Sequence, residues 1–174
     1  MKKLVFLFSS FLILLVATQS VKAQNPEATA TANSSANIIK VISITNSQDL
    51  LFGNIIASSG GGTVVISSDG SSSAVYSGIA APTGNEGSRQ PAIFTVEGEL
   101  SATYSITLPG DGVIELTKTG GDPMTLETFT HNANGLLSNV DGTETFNVGA
   151  TLNVNANQAS GTYTGSFPVT VAYN

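Results

Sequence analysis

The chain has no cysteine, no tryptophan and one histidine, and only six of its 174 residues are lysine or arginine. Without cysteine there is no disulfide framework and no thiolate ligand, so the fold must rest on packing and backbone pairing. The single histidine, His131 in FTHNANG, cannot build a zinc site alone. As the base for a nucleophile it needs a serine on a sharp strand-to-helix turn, and the serines stand in SSG, SSS and loop contexts. It reads as a surface turn residue.

Basic residues are scarcer still beyond the first segment. Lys2 and Lys3 precede the apolar run VFLFSSFLILLVA, and Val21 and Ala23 stand three and one residues before a cut between Ala23 and Gln24. A basic start, a short apolar core and such a cut define a secretory signal peptide over residues 1–23, too short and wrongly flanked for a spanning helix. With no cysteine beside the cut, a lipoprotein anchor is not expected. From Gln24 onward only Lys40, Arg89 and Lys118 stand against all twelve acidic residues, a net charge of −9. That surface repels nucleic acid and anionic lipid, so neither a nucleic-acid partner nor a membrane span after cleavage is expected.

Helix-forming runs of Ala, Leu, Glu and Lys are also missing after the signal, where Thr, Ser, Gly, Asn and Val dominate. Apolar residues alternate with polar ones from about residue 38 onward. Strands are expected at IIKVISIT, LLFGNII, TVVIS, AVYSGI, AIFTVEG, TYSITLP, VIELTKT, MTLETF, TETFNVGATLNVNA and the terminal GTYTGSFPVTVAYN. Gly53 interrupts the second and suggests a bulge or a close backbone approach. Asp69-Gly70, Asp111-Gly112 and Asp141-Gly142 mark turns, and residues 81–91, with two prolines, an exposed loop. Many short strands with such turns predict an all-β antiparallel sandwich over residues 38–174. Residues 24–37 hold no large apolar side chain and read as a flexible leader. Their alternation of Ala28, Ala30 and Ala32 with Thr29 and Thr31 also suits an extended strand.

Chemistry-bearing groups are few. Glu97 and Glu99 in VEGEL share a strand face, whereas glycosidase carboxylates come from separate elements. Asp111, Asp122 and Asp141 lack the alternating acidic ligands of a calcium loop, and each is explained as a turn residue by a neighbouring Gly or Pro. Gly60–Gly62 open no helix and carry no lysine, so they are not a phosphate loop. No catalytic residue, metal ligand or cofactor site is expected, and the chain does not read as an enzyme.

What remains is an edge. Phe167, Val169, Val171 and Tyr173 share one face of the last strand, and Pro168 within it cannot donate to a ladder. An apolar edge strand invites pairing unless something covers it. The LFG of Leu51, Phe52 and Gly53, the FTVEGEL–YSITLP pair and the terminal Gly161, Tyr163, Gly165, Phe167, Val169, Val171 and Tyr173 resemble an uncharacterised family of secreted bacterial β-domains. That family is similar in turn to spore-coat-U-like and archaic, Csu-type chaperone–usher pilins.

The resemblance implies an immunoglobulin-like, pilin-like β-sandwich exported to the periplasm or cell surface of a Gram-negative bacterium. It implies a periplasmic chaperone and usher as partners, with like subunits in a homopolymer. Phe167, Val169, Val171 and Tyr173 are then the partner-strand pairing face, and residues 24–37, with Ala28, Ala30 and Ala32, the donor segment. Part of IIKVISI is an alternative donor through Ile38, Ile42 and Ile44, although Lys40 falls on that face. The second functional reading is a monomeric surface module that binds glycan or protein through loops such as 81–91. A small outer-membrane barrel fits less well, because the nine aromatics from Gln24 onward, without tryptophan, make no pair of girdles.

Overall fold

The computed structural model describes residues 26–174; the expected cut between Ala23 and Gln24 lies outside them. The chain divides at Asn37, and the described part of the first unit, residues 26–37, is exposed throughout and forms no strand. The second unit, Ile38–Asn174, is all-β, with every strand pairing antiparallel and no helix among the described residues.

Eleven strands follow in order: β1 Ser43–Gln48, β2 Leu51–Phe52, β3 Gly62–Ile66, β4 Ala74–Ser77, β5 Arg89–Gln90, β6 Ala92–Glu97, β7 Tyr104–Thr107, β8 Ile114–Leu116, β9 Met124–His131, β10 Thr143–Val154 and β11 Thr170–Tyr173. The long β10 is the axis of the main sheet, which curls into a half-barrel. Along one edge of β10, β6 pairs with Thr143–Val148 and β3 with Ala150–Val154. Along the opposite edge β9 pairs from Val148 to Asn153. Outer neighbours complete the sheet: β1 on β6, β4 on β3 and β8 on β9. Two small sheets, β2–β5 and β7–β11, flank it.

The sequence of β10 explains its central place. Phe146, Val148, Ala150, Leu152 and Val154 are buried at every second position, the pattern of a strand with one face on a core. Gly149 lies between them because a side chain there would strike the Ile66 carbonyl of β3. On β9 the same alternation buries Met124 and Leu126 and then shifts by one residue. The register against β10 slips between Gly149 and Thr151, and Thr128 takes a φ of 48°. This is a bulge, and it turns Phe129 inward. Asp111 secures it, accepting the Thr128 N–H at 2.6 Å.

Buried side chains fall into two clusters. One gathers Val64, Ile66, Met124, Leu126, Leu152 and Val154, the other Phe94, Val96, Tyr104, Leu137, Phe146 and Val148. Leu50, Phe129 and Phe167 touch both. Phe167 meets Phe129 with ring centroids 5.0 Å apart and Phe94 at 6.3 Å, so the last segment ties the two clusters together.

Two strand expectations shift. The first strand begins at Ser43, and Ile38 before it is 95 % exposed. The last covers only Thr170–Tyr173, because residues 161–169 are extended but lack a continuous ladder.

Candidate functional site

That missing ladder defines the site. Residues 50–57 run beside residues 158–167, and no backbone ladder joins them. Between them lies an open groove with a volume of about 1290 Å³. Its floor is core: Phe94, Leu116, Met124, Leu126, Leu152 and Val154 all line it.

Each rim makes its backbone bonds to the segment behind it. On the first, the Asn54 N–H donates to Glu86 O at 2.6 Å and the Ile56 N–H to Ala80 O at 2.8 Å. Gly53 makes this approach possible, since its φ is 76° and a Cβ there would stand 2.5 Å from Glu86 O. The close backbone approach expected at Gly53 is therefore present. On the second rim, Thr164 exchanges both backbone bonds with Thr117, at 2.8 and 3.0 Å. Backbone groups of an extended chain alternate between its two edges. Ile55 and Ala57, like Tyr163, Gly165 and Phe167, consequently turn theirs away from those partners. None of these five backbone groups has a hydrogen bond among the described residues.

One end of the groove is stapled by the Asn157 N–H, which donates to Ser58 O at 2.8 Å. Near that end Gln158 donates through Nε2 to Asp122 O at 2.5 Å and to the Tyr163 hydroxyl at 2.8 Å, and the hydroxyl donates to Ala159 O. Gln158 Oε1 is buried without a partner. A buried acceptor of this kind is expensive unless an N–H reaches it. Among the described residues, Asp49 is the only charged one lining the groove.

The terminal motif is divided between two tasks. Phe167 lines the groove, whereas Val169, Val171 and Tyr173 pack on the second cluster, with Val171 and Tyr173 on β11 against β7. Tyr173 also makes a clasp. Its hydroxyl accepts the Glu99 N–H at 2.7 Å and donates to Lys40 O at 2.7 Å. The Lys40 N–H donates to the Glu99 carboxylate at 2.8 Å, and Lys40 Nζ pairs with Glu97. The two glutamates of VEGEL are thus the seat of Lys40. A Cβ at Gly98, between them, would collide with the Tyr173 hydroxyl and stand 2.9 Å from Leu137 Cδ1. Sequence reasoning had no signal for this clasp, whose partners lie 74 and 133 residues apart.

The remaining sequence candidates are scattered. His131 ends β9 with its ring edge-on to Phe146. Asp69 and Asp141 accept the N–H groups of Ser71 and Thr143 in their turns. The Ser71 backbone bond holds the Asp69 carboxyl below its usual range, and bonds from Ser138 and Thr143 do the same for Asp141. Ala28, Ala30 and Ala32 are exposed in the leader. Tyr104 donates to Glu144 at 2.8 Å, and burial, reinforced by that carboxylate, pushes its phenol far above the ordinary range. Among the described residues no group of acidic, histidine or cysteine side chains is placed to hold a metal ion. No helix among them is long and apolar enough to cross a membrane.

The domain is antiparallel β throughout its described strands, and an open apolar groove lies between two rims that share no backbone ladder. The chain belongs to the family described as Domain of unknown function (DUF4402), which matches residues 42–173. No curated protein and no solved structure matches it.

Proposed function

We propose that this protein is an exported, non-enzymatic structural subunit, a pilin-like immunoglobulin-type sandwich completed by a β-strand from another chain. Its place of work on this reading is the periplasm or surface of a Gram-negative bacterium. Its partners are a periplasmic chaperone and usher and other pilin-like subunits. The observation that carries the reading is the groove whose two rims, residues 50–57 and 158–167, leave the backbone groups of Ile55, Ala57, Tyr163, Gly165 and Phe167 unpaired above an apolar floor. An entering strand would satisfy both rims and cover the floor, which is how β-strand addition generates affinity. A small apolar ligand could cover the floor but would leave the rim N–H and C=O groups without partners.

Amide hydrogen exchange on the whole exported protein tests this. The probe is an eight-residue peptide of alternating isoleucine and threonine in large excess. The amides of Ile55, Ala57, Tyr163, Gly165 and Phe167 should exchange rapidly in the free protein and slow by at least about tenfold with the peptide, a protection worth about 1.4 kcal/mol per amide. If these five are already protected in the free protein, or ignore the peptide, the reading is overturned.

A further inference from the structure

We infer that the strand filling this groove belongs to a different polypeptide and carries large aliphatic side chains at alternate positions, rather than being the leader of a second copy. The inference rests on the strand-acceptor reading and narrows its partner.

Every second side chain of a strand seated between the rims faces the floor. That floor is Leu116, Met124, Leu126, Leu152 and Val154, with Phe94 towards the second cluster, below an open volume of about 1290 Å³. Protein interiors close to crystal density, and unfilled volume beside such side chains is destabilising. The leader offers only the methyl groups of Ala28, Ala30 and Ala32 at that spacing, so it leaves most of the space empty.

Of the bulkier residues that follow the leader, Ile38 is exposed but brings one large side chain only, and the others are held in place. Ile42 and Ile44 pack on this chain's own second cluster. Ile39 and Val41 are exposed, but Lys40 between them already uses both backbone groups, its N–H on Glu99 and its C=O on Tyr173. A strand lying between two rims needs both of its edges free. A second copy therefore has no suitable segment among its described residues.

Charge narrows the partner further. Asp49, at the β1 end, is the only acidic or basic residue among the described residues lining the groove. A fitting strand carries no acidic residue along the groove and tolerates a lysine or arginine at the Asp49 end. The leader brings Glu27 instead. The first rim, residues 50–57, sets the length of the seated segment at about eight residues.

The test compares three peptides on the whole exported protein by fluorescence polarisation: alternating isoleucine and threonine, residues 28–35 of this chain, and that same segment carrying Ala28→Ile, Ala30→Ile and Ala32→Ile. The first and third should bind at least about 100-fold more tightly than the second. The protein alone should be monomeric by light scattering. Equal binding of the native and isoleucine-bearing leader peptides would overturn the inference while leaving the strand-acceptor reading intact. So would a heat-labile oligomer that Ala30→Asp abolishes. Failure of all three peptides to bind would overturn both.

Discussion

At the scale of single residues, the hydroxyl of Tyr173 couples the last strand to the turn after β6 and to the backbone at Lys40. Tyr173→Phe keeps the ring and removes both bonds, at a cost of about 1–2 kcal/mol. For a domain of this size that lowers the melting temperature by about 3–6 °C in a thermal scan. Gly98→Ala should cost more, because its Cβ meets both the hydroxyl and Leu137. The two substitutions should combine to less than their sum, since deleting the hydroxyl removes part of the collision. Additive losses would refute the clasp. Asp69 and Asp141 supply a pH prediction. Hydrogen bonds hold both carboxyls below the ordinary aspartate value of 3.8, so they favour the folded state above that value. Their contribution fades as pH falls through their folded titration points. Carbon-detected NMR titration should give both midpoints below 3.8.

At the scale of elements, the β9 bulge depends on a side chain from the turn before β8. Asp111→Ala frees the Thr128 N–H and is expected to cost about 1 kcal/mol. Urea melts should show an unchanged m-value and a lower midpoint. Asp111→Asn keeps an acceptor oxygen and should recover most of the loss. The turn at Asp111-Gly112 was legible in the sequence, but the reach of its carboxylate to residue 128 was not. Period-two alternation reports which face a side chain takes and carries no record of what the backbone pairs with. That is why β10 could be read almost to its ends, while residues 161–169 looked like strand and prove to be extended chain with only Thr164 paired backwards. The same limit governed the first strand. Ile38 and Val41 carry β-forming side chains, yet the ladder starts at Ser43, after the segment that Tyr173 and the two glutamates hold.

At the scale of the whole molecule, the all-β class and the strandless, exposed character of residues 26–37 follow from composition. The groove does not, because it is an absence between two segments about a hundred residues apart. Only the unexplained apolar face near the terminus pointed towards it. The signal reading makes its own prediction: intact mass spectrometry of protein recovered from a bacterial periplasm should give a chain beginning at Gln24. A mass that retains residues 1–23 would refute that cut. The staple from Asn157 to Ser58 has a mechanical consequence. A strand seated between the rims would be hydrogen-bonded along both sides, so a pull along its axis would load every bond at once instead of peeling them in turn. With one end of the slot pinned, the rims cannot spread from that end under tension. Such a joint would yield slowly to steady force, although each bond in it is individually weak.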